Sequence, residues 1–100
     1  MPAHSVRWVV RKPSREDRLT ALRGRVNALD RRIVLLLAAR QKLVAAMKPF
    51  KARLREPSRE AQILRLAARQ AGRAGLDRTF VREVYQALLG ASRSFQRRRS

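Results

Sequence analysis

The chain has 100 residues, with 25 lysines and arginines against seven acids, a formal net charge of +18, one histidine and no cysteine. That length is one small domain, and the missing cysteines exclude disulfides and thiolate metal sites. A single histidine (His4) and seven acids leave too few ligands for a metal cage and no His-based catalytic triad, so neither metal nor cofactor is expected.

The charge suggests nucleic acid as a partner, but its distribution argues otherwise. Arginines outnumber lysines roughly five to one and are spread along the whole chain, with only Arg97-Arg98-Arg99 forming a block. Five aromatic residues in the chain are too few and too scattered for a base-stacking platform. Binding to nucleic acid is therefore expected to be non-specific and confined to low salt. No apolar run approaches the roughly 18 residues of a membrane span, and the Trp8-Val9-Val10 cluster is too short for a secretory core. No membrane association and a cytoplasmic location are expected.

Residues 1–16 read as a basic N-terminal extension without sustained periodicity, broken by Pro2, Pro13 and Ser14. A long helix is predicted from near Asp17 to about Leu54. Its seam steps by threes and fours through Leu19, Leu22, Val26, Leu29, Ile33, Leu36, Arg40, Leu43 and Met47, then Phe50 and Leu54. Pro49 removes one backbone donor and should bend or weaken the last turns.

A second helix is predicted from Glu56-Pro57-Ser58-Arg59-Glu60, with Pro57 in the first turn, where its missing N–H costs nothing. Ile63, Leu64, Leu66 and Ala67 are its apolar residues, and it should end between Gly72 and Gly75. Asp77 is the expected N-cap of a third helix, whose buried face would be Phe80, Val81, Val84, Tyr85, Leu88 and Leu89. Steps of four from Leu88 reach Ser92 and Gln96, two polar residues on the same inner row. The helical domain is predicted to span 17–97, with 98–100 a basic tail.

A helix this long cannot cover its apolar stripe with two short helices from its own chain. An all-α, intertwined homodimer, in which the long helix pairs with its symmetry mate, solves the burial problem.

Arg40 is the anomaly on the seam. A guanidinium keeps its proton, so a place among apolar neighbours requires an anionic partner, and few acids lie near it in sequence. The simplest partner is an anionic ligand. Arg40 and Lys51 are eleven residues apart, about three helical turns, so an unbroken helix would point both the same way. Asp30 reads as structural, paired with an arginine.

Taken in order, Leu22-Arg23, Leu29-Asp30, Leu36-Leu37-Ala38-Ala39-Arg40, Lys51, Pro57-Ser58-Arg59-Glu60, Gly75-Leu76-Asp77, Phe80-Val81, Ser92 and Gln96 form a pattern over roughly residues 18–97. With it the chain resembles the all-helical (AroQ-class, type II) chorismate mutase family. The resemblance implies an intertwined dimer of three-helix subunits, no cofactor, and rearrangement of chorismate to prephenate in aromatic amino-acid biosynthesis. It implies that Arg40 clamps one substrate carboxylate, that Arg23 reaches the other from the neighbouring subunit, and that Lys51 and Gln96 flank the ether oxygen. It further implies that Glu60 holds the ring hydroxyl, Ser92 assists a carboxylate, and Arg59 and Glu56 line the entrance. Some short members of the class are activated by another shikimate-pathway enzyme, so such a partner belongs to the expectation.

Three departures from the family pattern stand out, one being Pro49 two residues before Lys51. The connection from Lys51 to Glu56 is about four residues shorter than usual, and Glu56 stands where the family generally has aspartate. Three alternatives share enough features to be weighed. An isochorismate-pyruvate lyase shares the fold, the arginines and the lysine, but is apolar at the position of Glu60. A mutase of the amino analogue, aminodeoxychorismate, could use Glu60 to hold an ammonium. A basic helical dimer binding nucleic acid or protein would place no special demand on Arg40, Lys51 or Gln96.

Overall fold

The computed structural model describes residues 12–51 and 56–99, most of which are helical. The order is α1 (Arg15–Met47), a single 3-10 turn (Lys48–Phe50), α2 (Pro57–Ala74) and α3 (Arg78–Arg98). No strand occurs among the described residues, in keeping with the all-α expectation. Most of the proposed N-terminal extension, and Leu54 with the rest of the 52–55 connection, lie outside the described residues.

The chain divides into two units, one ending at Ala38 within α1 and the other running from Ala39 onward. In the first unit, α1 opens two residues before the expected Asp17, because Ser14 caps it. The Ser14 N–H donates to Asp17 Oδ2 at 3.0 Å and the Asp17 N–H donates to Ser14 Oγ at 3.0 Å, a reciprocal capping pair. The Ser14 backbone N–H first, and its hydroxyl second, hold the Asp17 carboxyl below its ordinary range. Glu16 and Asp17 also place negative charge on the positive end of the helix dipole.

The seam of α1 is present as a row but is not covered by its own chain. Leu22, Val26 and Leu29 are each 53% exposed, and no α1 residue is buried. The run Ile33 to Leu37 is exposed as well, so the apolar surface wraps beyond one face. Asp30 is exposed and forms no ion pair among the described residues, which corrects the expectation that an arginine holds it.

Helix α1 ends at Met47, earlier than the predicted Leu54. Pro49 has no N–H to continue the ladder, and its ring disfavours helical geometry at Lys48. The chain tightens into the 3-10 turn, closed by the Lys51 N–H donating to the Lys48 carbonyl at 3.2 Å. Lys51 itself is extended, with φ −100° and ψ 137°.

Helices α2 and α3 form an antiparallel hairpin packed on small residues. Ala67 and Ala71 of α2 bury against Val81 of α3, with Tyr85 packed alongside. The turn follows from two caps. Gly75 adopts φ 71°, the Leu76 N–H reaches back to the Ala71 carbonyl at 2.8 Å, and the Gly75 N–H reaches Gly72 at 3.4 Å, a Schellman arrangement. Asp77 then accepts from the Phe80 N–H at 3.2 Å and starts α3 as expected. Along α3, Val81, Leu89 and Gln96 are buried, whereas Phe80 and Val84 are exposed in the single chain rather than buried as predicted.

Replacing Gly75 with Ala is expected to lower stability by about 1 kcal/mol, since a Cβ is strained at positive φ even where space is open. Thermal unfolding followed by circular dichroism checks it; an unchanged midpoint would show that this turn does not limit stability.

Candidate active site

Within the second unit, the end of α1, the 3-10 turn, α2 and α3 surround a cavity of about 520 Å³. That is room for a small organic ligand. Its polar lining is Arg40, Lys51, Glu56, Arg59, Glu60, Ser92, Arg93 and Gln96, and its apolar lining comes from Leu43, Val44, Met47, Phe50, Ile63 and Leu89. Seven of the eight residues expected at the site therefore share one cavity. The eighth, Arg23, is exposed on α1 in the first unit.

Three cross-helix pairs organise this lining. Arg40, half-buried, donates from Nη1 to Ser92 Oγ at 2.7 Å. Lys51, also half-buried, donates from Nζ to Gln96 Oε1 at 3.0 Å. Arg93 donates from Nη1 to Glu60 Oε1, forming the one ion pair among the described residues. The first joins the end of α1 to α3, the second joins the residue after the 3-10 turn to α3, and the third joins α3 to α2. Arg59 lies more open and donates to Gln62 Oε1 at 2.8 Å along its own helix. Glu56 is the N-cap residue of α2 but makes no side-chain cap hydrogen bond, and it lines the cavity.

The row from Leu88 through Ser92 to Gln96 delivers both polar side chains inward, and Gln96 is only 6% exposed. Lys51 arrives by a different route from the one predicted. The eleven-residue phase argument needed an unbroken helix, whereas α1 stops at Met47. The 3-10 turn and the extended backbone at Lys51 bring its ammonium to Gln96 instead. Lys48, its neighbour in sequence, reaches the Arg99 carbonyl at 3.4 Å and does not line the cavity.

Arg93 is the residue that sequence reasoning missed. One arginine among so many carries no compositional signal. The only available clue was its place one helical turn beyond the buried Leu89, on the row adjoining Ser92 and Gln96.

The electrostatics favour an anion. Arg40, Lys51, Arg59 and Arg93 face two acids, Glu56 and Glu60, so the lining carries an excess of two positive charges. Arg40 has a neutral hydroxyl as its hydrogen-bond partner and, among the described residues, no carboxylate within ion-pair distance. A dianion of small size would complete the balance, with guanidinium forks meeting carboxylates by paired hydrogen bonds. Among the described residues no group of histidine, cysteine or acid side chains could hold a metal, and no helix is long and apolar enough to cross a membrane.

No individual curated protein matches the chain. The family model for chorismate mutase type II matches residues 22–97, which include all of α2 and nearly all of α3. That match covers most of the chain, and with this charge pattern and helix order it shows that the chain belongs to the type II chorismate mutase family, a family of isomerases.

Proposed function

We propose that the protein rearranges chorismate to prephenate, in a homodimer that shares its active sites. The observation that carries this reading is the cavity itself, with two surplus positive charges and the Arg40–Ser92 and Lys51–Gln96 pairs on its walls.

Chorismate is a dianion, and its conversion is a pericyclic shift of a carbon–oxygen bond to a carbon–carbon bond. Such a step needs no nucleophile, metal or proton transfer. It needs the side chain held over the ring, and the ether oxygen stabilised as its bond breaks. Arg40, held in place by Ser92, is suited to clamp one carboxylate with its planar fork. Lys51 supplies a full positive charge for the ether oxygen. Gln96, whose amide oxygen receives the lysine, can offer that oxygen its amide N–H. Glu60 accepts from the ring hydroxyl, while Arg59 and Glu56 sit at the entrance. A carboxylate at position 60 favours the mutase over the isochorismate-pyruvate lyase, which would leave it without a substrate partner.

The second substrate carboxylate falls to Arg23 of a neighbouring copy. The exposed row from Leu19 to Met47 supports this arrangement, because a single chain leaves it in water. Pairing α1 with its mate removes that surface from solvent, at roughly 25 cal/mol per Å², and brings the first unit of one copy to the other's cavity. Folding and assembly are then one transition. Sedimentation at micromolar concentration should show a dimer; a stable, folded monomer would reject the shared site.

Purified protein mixed with chorismate should yield prephenate, and should not release pyruvate from isochorismate faster than it does so. In the same assay, Lys51→Ala should lower kcat by about a hundredfold or more, with a smaller change in KM, because the ammonium acts when charge grows on the ether oxygen. Gln96→Ala should do the same more weakly, an amide dipole being worth less than a full charge. A dead Lys48→Ala beside a fully active Lys51→Ala would overturn the assignment.

A further inference from the structure

Arg93 has no part in the roles given so far, although it is among the better-placed side chains of the cavity. It follows Ser92 on α3, and its guanidinium crosses to α2 to engage Glu60 Oε1. The two side chains are 25% and 19% exposed, and both line the cavity. Their hydrogen bond takes one carboxylate oxygen of Glu60 and leaves Oε2 to accept from a ligand.

The pair changes what Glu60 can recognise. An unaccompanied carboxylate in a half-closed cavity attracts any donor, and a cationic donor most of all. With the Arg93 guanidinium beside it, the local charge is close to zero. A hydroxyl loses nothing by this, since it needs only an oriented acceptor and brings no charge. An ammonium loses heavily. It must shed its water, meets a second cation next to its acceptor, and regains no net Coulomb attraction.

We infer that Arg93 is a positioning residue that makes this site select a ring hydroxyl over a ring ammonium, by fixing the Glu60 carboxylate and cancelling its charge. The inference rests on the mutase reading above and gives it a substrate preference. Arg93 does so through Glu60, without touching the reacting atoms.

The test compares kcat/KM for chorismate and for its analogue carrying an amino group in place of the ring hydroxyl. Wild type, Arg93→Gln and Arg93→Lys are each checked for helicity by circular dichroism. The ratio of the two values does not depend on how much protein is folded, so a merely structural role for Arg93 would leave it unchanged. Wild type should favour chorismate at least tenfold. Arg93→Gln should reduce that ratio tenfold or more, chiefly by gaining activity on the amino compound, and Arg93→Lys should keep the ratio within about threefold of wild type. Equal losses on both substrates in Arg93→Gln, a collapsed ratio in Arg93→Lys, or a wild type that prefers the amino compound would overturn the inference while leaving the mutase reading in place. A wild type that rearranges neither compound would remove both.

Discussion

Arg40 sets the terms for the rest of the molecule, because its guanidinium cannot lose its proton and stands in a row of leucines and valines. A half-buried cation of this kind is normally matched by a carboxylate, yet its hydrogen-bond partner is the hydroxyl of Ser92. A neutral acceptor orients the guanidinium without cancelling its charge, which keeps the field inside the cavity available to a ligand. The acids that could have quenched it are placed elsewhere, Glu60 on Arg93 and Glu56 at the start of α2. Ser92 can face Arg40 only because α3 starts where Asp77 caps it and runs in phase for about four turns. The caps at Gly75 and Asp77 are therefore connected to the site through the hairpin they build.

The other wall depends on where α1 stops. Had the helix run on through Leu54, Lys51 would have been presented by a helical surface in the same phase as Arg40. Pro49 ends it at Met47, and the chain leaves through a 3-10 turn with Lys51 extended. The ammonium still meets Gln96, so the turn compensates for the lost helix geometry. Proline thus converts the end of a rigid rod into a short arm that carries the Lys51 ammonium to α3.

Much of this was legible in the residues. The α2–α3 hairpin was readable because glycine after a helix and aspartate before one act locally, and the structure uses both. Ser92 and Gln96 were readable because a polar residue on an apolar row is a statement about one helix alone. The end of α1 was harder, since a strong heptad pattern and a proline gave opposing signals and the proline won. Arg93 offered only its place one turn beyond Leu89, because its meaning comes from Glu60, thirty-three residues away on another helix. The exposure of Leu22, Val26 and Leu29 was implied by the length of α1, which two shorter helices of the same chain cannot cover.

The central claim is that Arg40 is retained for an anionic ligand and not for the fold. The most direct measurement is Arg40→Leu, followed both by denaturant unfolding and by the rate of chorismate loss. An apolar residue on an apolar row should leave stability unchanged or raise it, because the cost of desolvating the charge disappears. Activity should fall by several powers of ten, the scale of losing a preorganised charge contact. A variant that unfolds, alongside an Arg40→Lys variant with full activity, would contradict the claim and return Arg40 to a structural role.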